Sequence, residues 1–148
     1  MFLNLNENMK LVFELKKENK KETERVETIR SLTLNLDSPM GLKGEYGLYD
    51  SQEWWENIQK GMLKTKVITG VITRIYRSGQ ENSGEVNSID LILNDGNKIS
   101  TGIYVNDIND IRLFLVGKKV SIYYIFEKLK SGDLIDLVVE MAVSDRSY

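Results

Sequence analysis

The chain has 148 residues, 20 basic against 22 acidic side chains, and neither histidine nor cysteine. That length suits one domain with a sizeable core. The missing imidazoles and thiols exclude Ser-His-Asp and Cys-His catalysis, the common zinc sites and disulfides, and the charge balance leaves no overall basic footprint for nucleic acid.

No apolar run approaches the ~20 residues of a membrane span. The amino terminus also lacks the basic, apolar, small-residue order of a signal peptide, so the expected location is the cytoplasm. Met9, Leu11, Phe13 and Leu15 recur at period two and predict a strand over 8–18. The mixed-charge tract Lys16 to Glu24 predicts a mobile loop. Thr28 to Leu36 reads as a second strand from its threonines and its Leu32, Leu34, Leu36 series, although Arg25 to Leu32 is also compatible with a helix. Residues 1–40 are thus expected to form an N-terminal β-hairpin arm. Long edge strands are templates for pairing, which makes Phe13 on the arm a candidate for contact with another subunit.

The segment from Gly41 to Met62 carries Gly44-Glu45-Tyr46-Gly47-Leu48-Tyr49, then Glu53-Trp54-Trp55-Glu56-Asn57-Ile58. Asp50 and Glu53 form a capping-box pattern, predicting a helix over 51–60 stopped by Gly61, with Trp55, Ile58 and Met62 on one face. Tryptophan is enriched at interface hot spots, so Trp54 and Trp55 are protein-contact candidates beside their plainer role as core. This stretch is similar to one found in a group of small uncharacterised bacterial proteins with a barrel-like second half. The similarity implies no activity.

Lys66 to Arg77 predicts a long strand in which Gly70 marks a bend or a close backbone approach. Ser78 to Glu85 reads as a loop. Ser88 to Leu93 and Lys98 to Val105 flank Asn94-Asp95-Gly96-Asn97, a hairpin signal. Parity selects its turn: only a three-residue loop puts Ile89, Leu91 and Leu93 on one face with Ile99, Thr101 and Ile103. Gly96 is therefore expected in the left-handed region. Ile108, Ile111 and Leu115 share helical spacing, with Asn106 or Asp107 as cap and Gly117 as stop. Val120 to Glu127 and Leu134 to Val143 are strands joined at Lys130-Ser131-Gly132-Asp133.

The order β-β-β-α-β-β resembles the oligonucleotide/oligosaccharide-binding (OB) fold. The predicted class is mainly β: a five-stranded OB-like barrel, with the preceding helix, over 41–148, and the hairpin arm ahead of it. If an OB ligand face exists, Arg74, Tyr76, Arg77, Lys98, Tyr104 and Tyr123 are its nucleic-acid candidates, combining cations with stacking platforms. Asp90, Asp136 and Glu140 are expected on exposed strand faces. No phosphate loop or calcium loop is present, so no metal, cofactor or catalytic residue is expected. The leading expectation is a small non-enzymatic cytosolic binding module acting through protein contacts, as an oligomer or as an inhibitor of a partner, of which a toxin-neutralising immunity protein is one form. The alternative is a single-stranded DNA- or RNA-binding protein of plasmid or phage type.

Overall fold

The computed structural model describes residues 1–6, 8–79 and 86–147, and main chain only for the last two of these. Most of the expected loop at 78–85 lies outside them. Among the described residues six strands, three α-helices and one 3-10 helix follow one another: β1 (Met9–Glu14), α1 (Leu15–Lys21), α2 (Thr23–Leu34), α3 (Gln52–Gln59), β2 (Thr65–Tyr76), β3 (Ser88–Leu93), β4 (Lys98–Gly102), the 3-10 helix (Ile108–Leu113), β5 (Lys118–Lys128) and β6 (Leu134–Ser147). One sheet has the order β1-β6-β5-β2-β3-β4. The mainly-β expectation holds, but the five-stranded closed barrel does not: the sheet has six strands and is open, with β1 and β4 at its edges.

The chain forms two compact units. The first contains Met1–Glu14, Val67–Tyr123 and the chain from Glu140 onward. Its core is built from Ile72, Ile89, Leu91, Val120, Ile122, Met141 and Val143, all essentially inaccessible to water. The β3–β4 register follows the parity argument: Leu91 pairs with Ile99 and Ile89 with Thr101. The loop holds three residues, with Leu93 N–H donating to Asn97 O at 2.8 Å and Gly96 at φ +87°. Gly70 is a close approach, since a Cβ there would lie 2.9 Å from the Ile92 carbonyl oxygen. The irregularity in β2 falls instead between Ile72 and Arg74.

Two local expectations in this unit fail. The segment after Asp107 is a 3-10 helix rather than an α-helix, with the Asp107 carboxylate accepting from Asn109 N–H. The helix ends at Leu113, so Leu115 lies beyond it and the i, i+3, i+7 stripe is broken; Ile108 and Leu115 stand exposed and Phe114 fills the core. Glu140, expected at the surface, is only 3% exposed. Its carboxylate accepts from the backbone N–H groups of Phe2 (2.9 Å) and Leu3 (2.7 Å), which satisfies a charge that burial would otherwise penalise.

The second unit contains Leu15–Lys66 and Tyr124–Val139. Here the hairpin arm is overturned. The strand stops at Glu14, the mixed-charge tract is α1 and residues 23–34 are α2. Lys and Glu are good helix formers. In α2, Val26, Ile29, Arg30 and Thr33 supply the i, i+3, i+4, i+7 face turned from water, while Leu34 and Leu36 are exposed. The alternating leucines misled because the true inward face includes an arginine and a threonine. Gly41 (φ +102°) and Gly44 (φ +78°) lie against α2, where a Cβ would come within 2.9 Å of Leu32 Cβ and 2.8 Å of Thr33 Cγ2. The Lys130 ammonium donates to the carbonyls of Leu32, Asn35 and Ser38. Of these, the Leu32 oxygen is one that the last turn of α2 leaves without a helical partner.

The helix at 51–60 is found as α3, stopped by Gly61 at φ +76°. Its cap is Ser51, which accepts from Trp54 N–H at 3.2 Å, and not Asp50. Asp50 takes φ +64° and accepts from the Asn19 amide and the Trp55 indole. Met62, expected inside with Trp55, is 54% exposed because it lies beyond the helix stop.

Candidate functional site

Trp54, Trp55 and Phe13, the three expected protein-contact residues, are interior. Trp54 is 0% exposed and its indole N–H donates to Glu127 Oε1 at 2.6 Å. Its ring packs against Tyr49 and edge-on against Trp55. Burial raises the pKa of Glu127, the nearby Glu45 adds to the rise, and the Trp54 hydrogen bond opposes it. Trp55 is 8% exposed and Phe13 5%, the latter against Tyr104 at 5.5 Å between ring centres. In the free chain these residues build the cores of their units.

The residues chosen for the other reading do reach a surface, and four positions of the first unit converge there. A break in strand alternation brings them together. Ile72 and Ile75 pair with the buried Leu91 and Ile89, yet they are three residues apart. The irregularity at Thr73 absorbs the extra residue and sends Arg74 and Tyr76 to the opposite face, with Arg74 across from Asp90. Ser100 is the next partner in the row, across from Asp90 on β4.

Asp90 then sits at the centre of a network. It accepts from Ser100 Oγ at 2.7 Å and from Tyr76 OH at 3.0 Å, and the Arg74 guanidinium is 3.9 Å away. The Ser100 hydrogen bond, opposed by desolvation and helped by the Tyr76 bond and Arg74, lowers the pKa of its carboxyl. The Arg74 guanidinium lies 4.2 Å from the centre of the Tyr76 ring, with its side chain 65% exposed. Arginine and tyrosine so fixed are already ordered before any partner arrives, which lowers the entropy cost of contact.

The same geometry is poorly suited to single-stranded nucleic acid. Arg74 already lies over one face of the Tyr76 ring, and the Asp90 carboxylate accepting from the Tyr76 hydroxyl adds negative charge beside it. Tyr123 is stacked on Phe2 at 5.1 Å. Arg77, Lys98 and Tyr104 are exposed, but only Lys98 shares a strand face with the cluster. Among the described residues no group of three or more carboxylates is arranged to hold a metal ion, and no helix is long and apolar enough to cross a membrane.

The family model described as "Immunity protein RhsI2" matches residues 9–144. The chain belongs to the RhsI2 immunity protein family. No curated protein matches it. Membership makes it an inhibitor-type binding module that works through protein contacts, and the single-stranded nucleic-acid alternative is left without support. For an RhsI2 family protein the informative surface is therefore one that can meet another protein. The first unit presents the Arg74, Tyr76, Asp90, Ser100 cluster. The second presents Leu34, Leu36 and Met40, exposed at 64%, 93% and 67%. Sequence reading missed the network because the shift at Thr73, which aligns Arg74 with Asp90, has no glycine or proline to announce it. The broken alternation Val71-Ile72-Thr73-Arg74-Ile75 was the available signal.

Proposed function

We propose that this protein is a non-enzymatic cytoplasmic antitoxin that neutralises a toxin by direct, stoichiometric contact. The family match over residues 9–144 carries that reading. The absence of histidine and cysteine from the whole chain agrees with a role that needs no chemistry of its own. The proposed contact face is the outer surface of β2, β3 and β4, where Arg74 and Tyr76 are of the residue types that dominate interface energetics.

Co-expression with a cognate toxin domain tests the proposal. Growth should be rescued and the two purified proteins should co-elute at the mass of a stoichiometric complex. Rescue without a complex would point to an enzymatic antidote, and no rescue together with no complex would end the reading. Anisotropy with a labelled single-stranded oligonucleotide at low salt should show no binding, since any backbone-driven affinity would be strongest there.

A further inference from the structure

The two edges of the sheet are treated differently. The outer edge of β1 is covered by its own chain. Asn106 N–H donates to the Val12 carbonyl at 2.9 Å. The Asn106 side chain accepts from Glu14 N–H at 2.8 Å and donates to Glu14 O at 3.2 Å. Lys10 and Asp110 add an ion pair at 2.9 Å over the same segment. Among the described residues no strand pairs with the outer side of β4, the last strand of the order.

The ladder says which groups of β4 are open. Ile103 N–H donates to Asn87 O and Leu93 N–H to Asn97 O, so the hydrogen-bonded pairs with β3 are those of Ile103, Thr101, Ile99 and Asn97. The N–H and C=O groups of Lys98, Ser100 and Gly102 point away from β3. Among the described residues no strand pairs with them. The close Ser100–Asp90 side-chain contact fits this phase, because side chains come nearest at pairs that exchange no backbone bonds. Tyr104, 41% exposed, lies beside Gly102 at the end of the edge.

We infer that the toxin adds an extended segment to β4, continuing the sheet through the outward backbone groups of Lys98, Ser100 and Gly102. The occupant is an extended protein strand because unpaired alternating N–H and C=O groups are matched by another extended backbone. The neighbouring Arg74–Tyr76–Asp90–Ser100 surface then supplies side-chain recognition. This inference rests on the antitoxin reading above, and it specifies where and in what conformation the partner binds.

Amide hydrogen exchange on the full chain, with and without the cognate toxin domain, tests it directly. The amides of Lys98, Ser100 and Gly102 should become protected in the complex, while those of Ile99, Thr101 and Ile103 are already slow without it. Ser100→Pro removes one outward donor without touching the β3 ladder and should weaken binding at least tenfold. Ser100→Ala loses the same side-chain bond to Asp90 but keeps the backbone donor, so Ser100→Pro should bind at least tenfold more weakly than Ser100→Ala. A complex that forms while the three amides exchange at their free rates overturns the strand addition and leaves the antitoxin reading standing. Protection of the same amides in the chain alone, with a dimer mass, would assign the edge to a second copy and also overturn it. Absence of any complex removes both.

Discussion

Asp90 and Glu127 are both strand carboxylates tied to an aromatic side chain, and they are put to opposite uses. Glu127 is 3% exposed, receives the indole N–H of a fully buried tryptophan, and has its pKa raised by burial. Asp90 lies on an outer face among Ser100, Tyr76 and Arg74, and its pKa is lowered. The first arrangement holds a core together. The second orders a surface while leaving it accessible, as a binding module requires. What separates them is which side of the strand faces water.

The largest expected effect tests the core half of that contrast. Trp54→Ala should cost about 3–5 kcal/mol in denaturant unfolding, from lost packing and from a buried carboxylate deprived of its donor. Trp54→Phe keeps most of the ring and should cost about 1–3 kcal/mol, the penalty of the unsatisfied group. If the two variants unfold alike, the Glu127 hydrogen bond contributes little and packing alone explains the site.

The pH dependence should differ in sign. Because Glu127 binds its proton more tightly in the folded state, its contribution to stability falls as pH rises from its ordinary value of 4.5 through the raised folded value. Glu127→Gln should flatten that part of the stability profile. Asp90 behaves oppositely: its contribution is present above 3.8 and is lost as pH falls through the lowered folded value. Asp90→Asn should therefore alter stability only at the acid end, and slightly, since the site is exposed. Arg74→Ala closes the series. Melting should move it by no more than about 0.5 kcal/mol, whereas toxin binding should weaken about tenfold by titration calorimetry. A loss of stability matching the loss of binding would make Arg74 structural.

The contrast also marks what the sequence can reveal. The hairpin from Ser88 to Gly102 was readable to the residue, because alternation of Ile89, Leu91 and Ile99 and a glycine at position 96 agree on one register. The second unit was not. Three leucines at period two lay beside a helix whose inward face contains Arg30 and Thr33, so the apolar pattern favoured the wrong period. The paired tryptophans read both as core and as contact candidates because their partners Glu127 and Asp50 cannot be located from spacing. On the outer face the sequence supplied Arg74, Tyr76 and Tyr104 for the wrong ligand. It could not show that Asp90 occupies the middle of the group.

One side chain from the second unit has a chemical consequence. All three donors of the Lys130 ammonium are committed to carbonyl oxygens at Leu32, Asn35 and Ser38. Those three oxygens enclose the nitrogen and block a reagent's approach, so brief treatment of the native protein with an acylating reagent should leave Lys130 unmodified while the exposed Lys98 and Lys60 react. Arginine, a flat fork, does not reproduce a tripod; the usual conservative exchange would leave at least one of those oxygens without its donor.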